Sequence, residues 1–293
     1  MKPLLGQSLW ACCLAALAAA PLSPARADEA GDASRPRPPE SITMPEIPVR
    51  LAQRGDELQL ETLCVDLADA SGRSVILVGT THLGEEGYYR QLQQILDACD
   101  LVLYEDMAGG TLGLAWQLRH KAADGSLTPH ERDLLDQINL IDTDPASAEN
   151  RKAAAHRLHR QTRVIDYGGP QFVWADLSYR ELAERLRTCP PPPAYTPVPP
   201  VLPPLNGPLT PDRQARRALA AQLCEPNGAR YVMKTPFMRE RDRHCLSVFD
   251  AQSRDRRRTA ILYGAMHLPH IVELLQQRGF RLRGLRWYKA FTL

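Results

Sequence analysis

The sequence contains none of the short motifs that identify the commonest nucleophile, nucleotide and zinc-protease sites. It has no GxSxG nucleophile elbow, no P-loop and no HExxH helix. It also has no CxxC pair, which argues against a zinc ribbon and against a thiol redox motif. Any catalytic chemistry therefore has to come from residues that the fold brings together.

A strong net charge is absent as well. The chain has 293 residues and a formal net charge of +2. Lys2 and Arg26 are the charged residues of the first 27 positions, so removal of that segment leaves a net charge of zero. A neutral protein gives no electrostatic reason to expect nucleic acid as a partner, and the basic run at 254–258 is interpreted as a solvated turn.

The N-terminus has the pattern of a secretory signal. Lys2 precedes a short run rich in leucine and alanine, and Ala25 and Ala27 occupy small-residue cleavage positions. We predict a cleaved signal peptide at 1–27 and a periplasmic or secreted protein, with lipidation at Cys12 as the alternative. No later stretch is long and apolar enough to span a bilayer, so no transmembrane segment is predicted.

The remainder is predicted to be a disordered leader at 28–55 and one α/β domain at 56–293. A proline-rich insertion at 190–211 holds eleven of the chain's 25 prolines and is interpreted as a polyproline loop outside the core. It could be a semi-rigid spacer or a ligand for a partner with an aromatic-lined groove. Because Cys189 and Cys224 flank the proline-rich stretch in an exported chain, we predict a disulfide between them.

Hydrophobic periodicity predicts alternating strands and helices, which is typical of an α/β sheet protein. Two strands form a hairpin around the turn Ala-Ser-Gly-Arg at 70–73, and further strands are predicted at 101–104, 162–168, 259–263 and 280–291. Helices are predicted at 88–99, 129–140, 147–160, 178–187, 211–224, 236–252 and 269–278.

The stretch at 75–107 is the most informative part of the sequence. It predicts a strand that ends at Gly79, then His82, a helix, and a second strand followed by Glu105. The carboxyl ends of parallel strands meet at one edge of a sheet, so His82 and Glu105 are expected close together. The same strand–Gly–x–x–His pattern returns at 260–268 and introduces His267.

Two imidazoles and one carboxylate form a common ligand set for a divalent metal ion. The sequence therefore predicts a hydrolytic site in which His82, Glu105 and His267 hold the metal. Glu105 could instead be a general base. The identity of the ion is left open among Mn, Co and Zn.

Arg241 is the other unusual residue. On the helix at 236–252 it falls on the apolar face that Met238, Cys245 and Phe249 define. A charge on that face needs a partner, so Arg241 is expected to reach a carboxylate, the substrate or a developing oxyanion. The alternative is that its stem packs while its head extends to solvent.

These motifs together resemble a known family. GTTHLG, LVLYE, the RDRHC helix and ILYGAMHLPHI, in this order, are similar to the Tiki/TraB superfamily and its bacterial TraB/GumN-type members. The resemblance implies a Tiki/erythromycin esterase-like fold and functional roles for His82, Glu105, Arg241 and His267. Animal Tiki members are metal-dependent proteases, and relatives include esterase-like hydrolases, haem-binding lipoproteins and pheromone-shutdown proteins.

Three positions depart from the family pattern. Asp242 stands where asparagine is usual, Cys245 where methionine is usual, and His270 where glycine is common. The sequence thus predicts an exported, peptidase-like, metal-dependent hydrolase that acts on a peptide or small-molecule substrate. The alternatives are a non-catalytic protein that binds haem or a peptide, and an interaction module that recruits a partner through the proline-rich loop.

Overall fold

The computed structural model describes residues 42–191, 194–198 and 200–293, with the side chains of 140–143 left out. The predicted signal peptide, the alternative lipidation site at Cys12 and the first part of the predicted leader lie outside these residues. No helix in the described ranges is long and apolar enough to cross a bilayer.

Strands and helices alternate along most of the described chain. The strands are β1 (Val49–Arg54), β2 (Glu57–Ala68), β3 (Ser74–Thr80), β4 (Leu83–Gly84), β5 (Leu101–Tyr104), β6 (His159–Arg160), β7 (Phe172–Trp174), β8 (Arg258–Gly264) and β9 (Arg281–Thr292). The helices are α1 (Glu86–Asp97), α2 (Thr111–Ala123), α3 (Pro129–Thr143), α4 (Ala148–His156), α5 (Gln161–Val164), α6 (Tyr179–Leu186), α7 (Pro211–Leu223), α8 (Pro226–Lys234), α9 (Pro236–Gln252) and α10 (Leu268–Gln277).

One mixed sheet organises the fold. Its order is β1-β2-β3-β8-β5-β7, and β9 pairs with β2. β3, β8, β5 and β7 run parallel to one another, whereas β1, β3 and β9 are antiparallel to β2. β8, which comes late in the chain, thus inserts between β3 and β5. The short strands β4 and β6 form a separate pair.

Helices cover both faces of this sheet. In β3, Ile76 and Val78 face a core that includes Tyr88 and Leu92 of α1. Their neighbours Val75 and Leu77 face a second core, which holds residues of α9 and α10. Burial on both faces explains why β3 is a continuous apolar run and not an alternating one. The predicted mixed central sheet flanked by helices is confirmed.

Several local predictions are confirmed and others are wrong. The hairpin at 70–73 joins β2 to β3, and the helix predicted at 129–140 forms as α3, where Thr128 and Glu131 make a capping box. The leader prediction is wrong for Val49–Arg54, because this segment pairs with β2 as β1 and buries Val49. The strand predicted at 162–168 is also wrong. Its first residues belong to the helical turn α5, and the next strand begins only at Phe172. The helices α2 and α8 were not predicted.

The proline-rich insertion contains neither helix nor strand among its described residues before α7 begins at Pro211. It is nevertheless attached to the domain, because the ring of Tyr195 stacks on Tyr231 with centroids 5.1 Å apart. The predicted disulfide is wrong, since Cys189 and Cys224 are both free thiols.

Candidate functional site

The carboxyl ends of four parallel strands meet at one edge of the sheet. Thr80 of β3 pairs with Gly264 of β8, and Tyr104 of β5 pairs with Leu262 of β8. Tyr104 also pairs with Trp174 of β7 on its other side. Side chains that follow these strand ends are therefore brought to the same edge, as the sequence predicts.

Neighbouring atoms crowd the glycines of the two GxxH motifs. A Cβ on Gly79 would lie 2.5 Å from the carbonyl oxygen of Leu63 and 2.9 Å from Leu268. A Cβ on Gly264 would lie 3.3 Å from Oε2 of Glu105. Neither glycine has a positive φ. Close approach of neighbouring atoms, and not a positive φ, thus accounts for both glycines.

Glu105 follows β5 and is held by two donors. Its Oε1 accepts a hydrogen bond of 2.6 Å from Nη2 of Arg241, and its Oε2 accepts one of 2.6 Å from the amide of Gly264. Burial alone would raise the pKa of this carboxyl. The positive charge of Arg241, followed by His267 and His82 and the Gly264 amide, instead holds the pKa well below its usual range. Glu105 is therefore an ionised carboxylate.

Arg241 extends from α9 into the space between two carboxylates. Its Nε and Nη2 donate to Asp176 at 2.9 and 2.6 Å, in a bidentate fork, while Nη2 also donates to Glu105. Only 3% of the side chain is exposed. Burial lowers the pKa of the guanidinium, but Glu105 and Asp176 outweigh this effect and raise it. Of the destinations that the sequence left open, Arg241 reaches carboxylates.

Asp176 is a site residue that sequence reasoning missed. It follows β7, is fully buried, and also accepts a hydrogen bond of 2.7 Å from the amide of Leu177. Its position two residues after the last strand at the same edge was the available signal.

His267 lies in a 3₁₀ turn, Ala265–His267, directly after β8. Its Nδ1 bonds to Oδ1 of Asp242, and Nε2 points toward the other cluster members, 3.7 Å from Oε1 of Glu105 and 3.5 Å from Nη1 of Arg241. The ring of Tyr263 packs against it edge-on, with centroids 5.1 Å apart. The imidazole is thus fixed in orientation and is only 2% exposed.

Asp242 is the second site residue that the sequence did not predict. It is fully buried and also bonds through Oδ2 to Nδ1 of His270, at 2.7 Å. Burial would raise its pKa, but His267 and His270 lower it. An ionised Asp242 accepts a hydrogen bond from the Nδ1–H of His267, so in the neutral tautomer that carries this N–H the lone pair is on Nε2.

His82 does not join this cluster. Its side chain is exposed, and its backbone oxygen accepts a hydrogen bond of 3.1 Å from the amide of Gln161. It is near enough for its charge to contribute to the low pKa of Glu105. Within the described residues, no three His, Cys, Asp or Glu side chains are grouped closely enough to hold a metal ion.

The formal charges of the cluster are unequal. Asp176, Glu105 and Asp242 contribute three carboxylates, whereas Arg241 contributes one guanidinium. Buried charge of one sign is costly unless it is compensated. The site is therefore suited to further positive charge, such as a bound cation.

Comparisons with known proteins add no relative. No protein-family model matches the chain, and no curated protein and no solved structure matches it. The roles that the resemblance implies therefore stay predictions.

Proposed function

We propose that the chain is a hydrolase of peptide or ester bonds whose active site is the cluster at the carboxyl edge of the sheet. The observation that carries this proposal is the placement of His267, with Nδ1 tied to buried Asp242 and Nε2 3.7 Å from Glu105. An imidazole oriented by a carboxylate in this way is typical of metal ligands and of general bases.

A divalent metal ion fits the chemistry of the donors. His82, Glu105 and His267 would hold it, and the excess of carboxylates around Arg241 favours a cation. The exposed side chain of His82 would have to approach Glu105 to complete this ligand set. When bound, the ion would supply Lewis acidity toward a carbonyl oxygen and an activated water.

The low pKa of Glu105 favours a ligand over a general base. An efficient general base has a pKa near the working pH, and Glu105 is far below it. Its carboxylate would therefore act as a fixed negative charge.

Arg241 is suited to bind a developing oxyanion. Nε and Nη2 are used by Asp176 and Glu105, while Nη1 contacts only Nε2 of His267, at a long 3.5 Å. This nitrogen can donate to a substrate oxygen without leaving its carboxylate partners. A buried, pre-oriented donor of this kind is what stabilises negative charge in a transition state.

The proposal includes a Tiki/erythromycin esterase-like form of the mixed sheet, which the resemblance implies. It also includes cleavage of residues 1–27 and a periplasmic or secreted location, which the N-terminal pattern predicts. Both GxxH motifs lie at the carboxyl ends of neighbouring parallel strands in the mixed sheet, which supports the fold assignment.

The test is metal analysis combined with hydrolysis by the mature chain. Protein incubated with Mn, Co or Zn and then dialysed should retain an ion and cleave a peptide or ester library read by mass spectrometry. His267→Ala and His82→Ala should lose both properties. His130→Ala, which removes an exposed histidine on α3, is the matched control and should keep both.

Unchanged metal content and unchanged hydrolysis in both His82→Ala and His267→Ala would refute the proposal. A Soret band on haem titration that His267→Ala removes, with no hydrolysis by the wild type, would instead support the non-catalytic haem-binding alternative.

A further inference from the structure

A second concave site lies at the opposite, amino edge of the parallel strands. It is a cavity of about 240 Å³ lined by Ser71, Gly72, Arg73, Arg254, Asp255, Arg256 and Arg257. Two turns form the cavity. The first, 69–73, connects β2 to β3, and the second, 253–257, connects α9 to β8. Because β3 and β8 begin here and end at the candidate active site, the two sites are separated by the length of the strands.

Hydrogen bonds from backbone amides fix both turns. Asp69 accepts hydrogen bonds from the amides of Ser71 and Arg73, which closes the first turn. The amide of Ser74 donates to the carbonyl of Arg257 at 2.8 Å and joins this turn to the second one. The frame that carries the arginines is therefore ordered, although their side chains are exposed.

The side chain of Asp100 anchors the second turn. Its Oδ2 accepts hydrogen bonds from the amides of Arg257 and Arg258 at 3.0 and 2.9 Å. This carboxylate is thus engaged by the backbone, and the guanidinium groups of the turn are left to solvent.

Positive charge exceeds negative charge around the cavity. Four arginines line it with one carboxylate, that of Asp255. Arg73 is paired with Asp69 at 2.8 Å, but the side chains of Arg254, Arg256 and Arg257 form no ion pair with any residue that the structure describes. Several guanidinium groups that face one space without counter-ions favour an anion there.

We propose that this cavity binds a phosphate group, either as free inorganic phosphate or as the monoester headgroup of a lipid. Guanidinium groups match phosphate oxygens through paired N–H donors, which makes arginine the preferred residue for this anion. The volume is below the roughly 300–1,000 Å³ of pockets for drug-sized ligands, so a single small anionic group fits best. Residues 254–257 form the solvated turn that the sequence predicts at 254–258, and the proposal adds a ligand to it.

The test uses the mature chain and inorganic phosphate. Phosphate is titrated by calorimetry into protein kept at constant ionic strength with chloride. Wild type should show saturable binding, and Arg254→Ser/Arg256→Ser should weaken it by at least about tenfold, because hydrogen bonds to a charged group are lost. Arg132→Ser/Arg187→Ser removes the same charge from exposed positions elsewhere and should bind as the wild type does.

Vesicles distinguish the two sources of the phosphate group. Phosphatidylcholine vesicles with and without phosphatidic acid are sedimented with each variant. Partition that requires phosphatidic acid and is lost in Arg254→Ser/Arg256→Ser assigns a lipid headgroup, whereas phosphate binding without partition assigns a free phosphate. The proposal is overturned if wild type binds neither, or if the Arg132/Arg187 control loses as much affinity as the cavity variant. Unchanged thermal unfolding of both variants shows that the fold is retained.

Discussion

The Arg241→Leu substitution tests whether the buried charge network stabilises the protein. Arg241 is 3% exposed and donates two hydrogen bonds to Asp176 and one to Glu105. Leucine keeps part of the stem but leaves two carboxylates without their cation. Removal of one partner from a buried ion pair costs about 3–5 kcal/mol of the free energy of unfolding. Urea denaturation at pH 7 should show this loss, and the melting temperature should fall by roughly 6–20 °C.

The pH dependence separates lost charge pairing from lost packing. In the wild type, burial opposes ionisation of Glu105, but Arg241 brings its pKa below the ordinary value of 4.5. A folded-state pKa below the unfolded value stabilises the protein above about pH 4.5, and that contribution is lost as the pH falls further. In Arg241→Leu, the positive charge that counters the effect of burial on Glu105 is gone, so the pKa of Glu105 rises. Acidification then protonates Glu105 and removes the cost of its unpaired buried charge. The stability difference between wild type and variant should therefore shrink from pH 7 toward pH 4.

Two variants serve as controls for this experiment. Arg241→Lys keeps the charge but not the bidentate fork to Asp176, so an intermediate loss is expected. Arg243→Leu removes an exposed arginine from the same helix, paired with Glu240, and should change stability by no more than about 0.5 kcal/mol. The reasoning is refuted if Arg241→Leu costs less than about 1 kcal/mol, or if its cost is the same at pH 7 and pH 4.

Three further predictions concern separate features. Asp242→Asn should weaken binding of a divalent ion about 10–100-fold in a dialysis assay, because the carboxylate that orients His267 is lost; unchanged affinity would contradict this. Gly79→Ala should cost about 1–3 kcal/mol in urea unfolding, since its Cβ meets the Leu63 carbonyl at 2.5 Å, whereas Gly87→Ala in open space on α1 should not destabilise. Tyr195→Phe should cost about 1 kcal/mol through its 2.5 Å hydrogen bond to Glu225, while Tyr179→Phe, 69% exposed, should be neutral.

The sequence predicts elements well where one local signal dominates. The capping box at Thr128 and the apolar run of β3 are local, and both elements form as predicted. The segment after Gln161 was misread because its apolar Val164 and Ile165 resemble a strand. There the amide of Gln161 bonds to the carbonyl of His82, a contact from a distant part of the chain. Such contacts override local pattern.

The site was predicted only in part for a related reason. Arg241 stands out in the sequence because it interrupts an apolar helix face. Asp242 follows it, and adjacent helical residues point about 100° apart, so one reaches Asp176 and the other reaches His267. Which partners they meet depends on how α9 lies across the sheet, and no local spacing encodes that.

Strand order explains why the two GxxH histidines differ. β8 pairs with both β3 and β5, so His267 follows the strand next to Glu105. β3 and β5 are separated by β8, roughly 9–10 Å apart at ordinary strand spacing, so His82 starts one strand further away. The two GxxH motifs are also offset by one residue in the register of the sheet, since Gly79 pairs with Tyr263 and not with Gly264. His267 therefore enters a buried turn beside Glu105, while His82 stays exposed at the rim. Similar sequence frames thus give a buried inner histidine held by Asp242 and an exposed outer one.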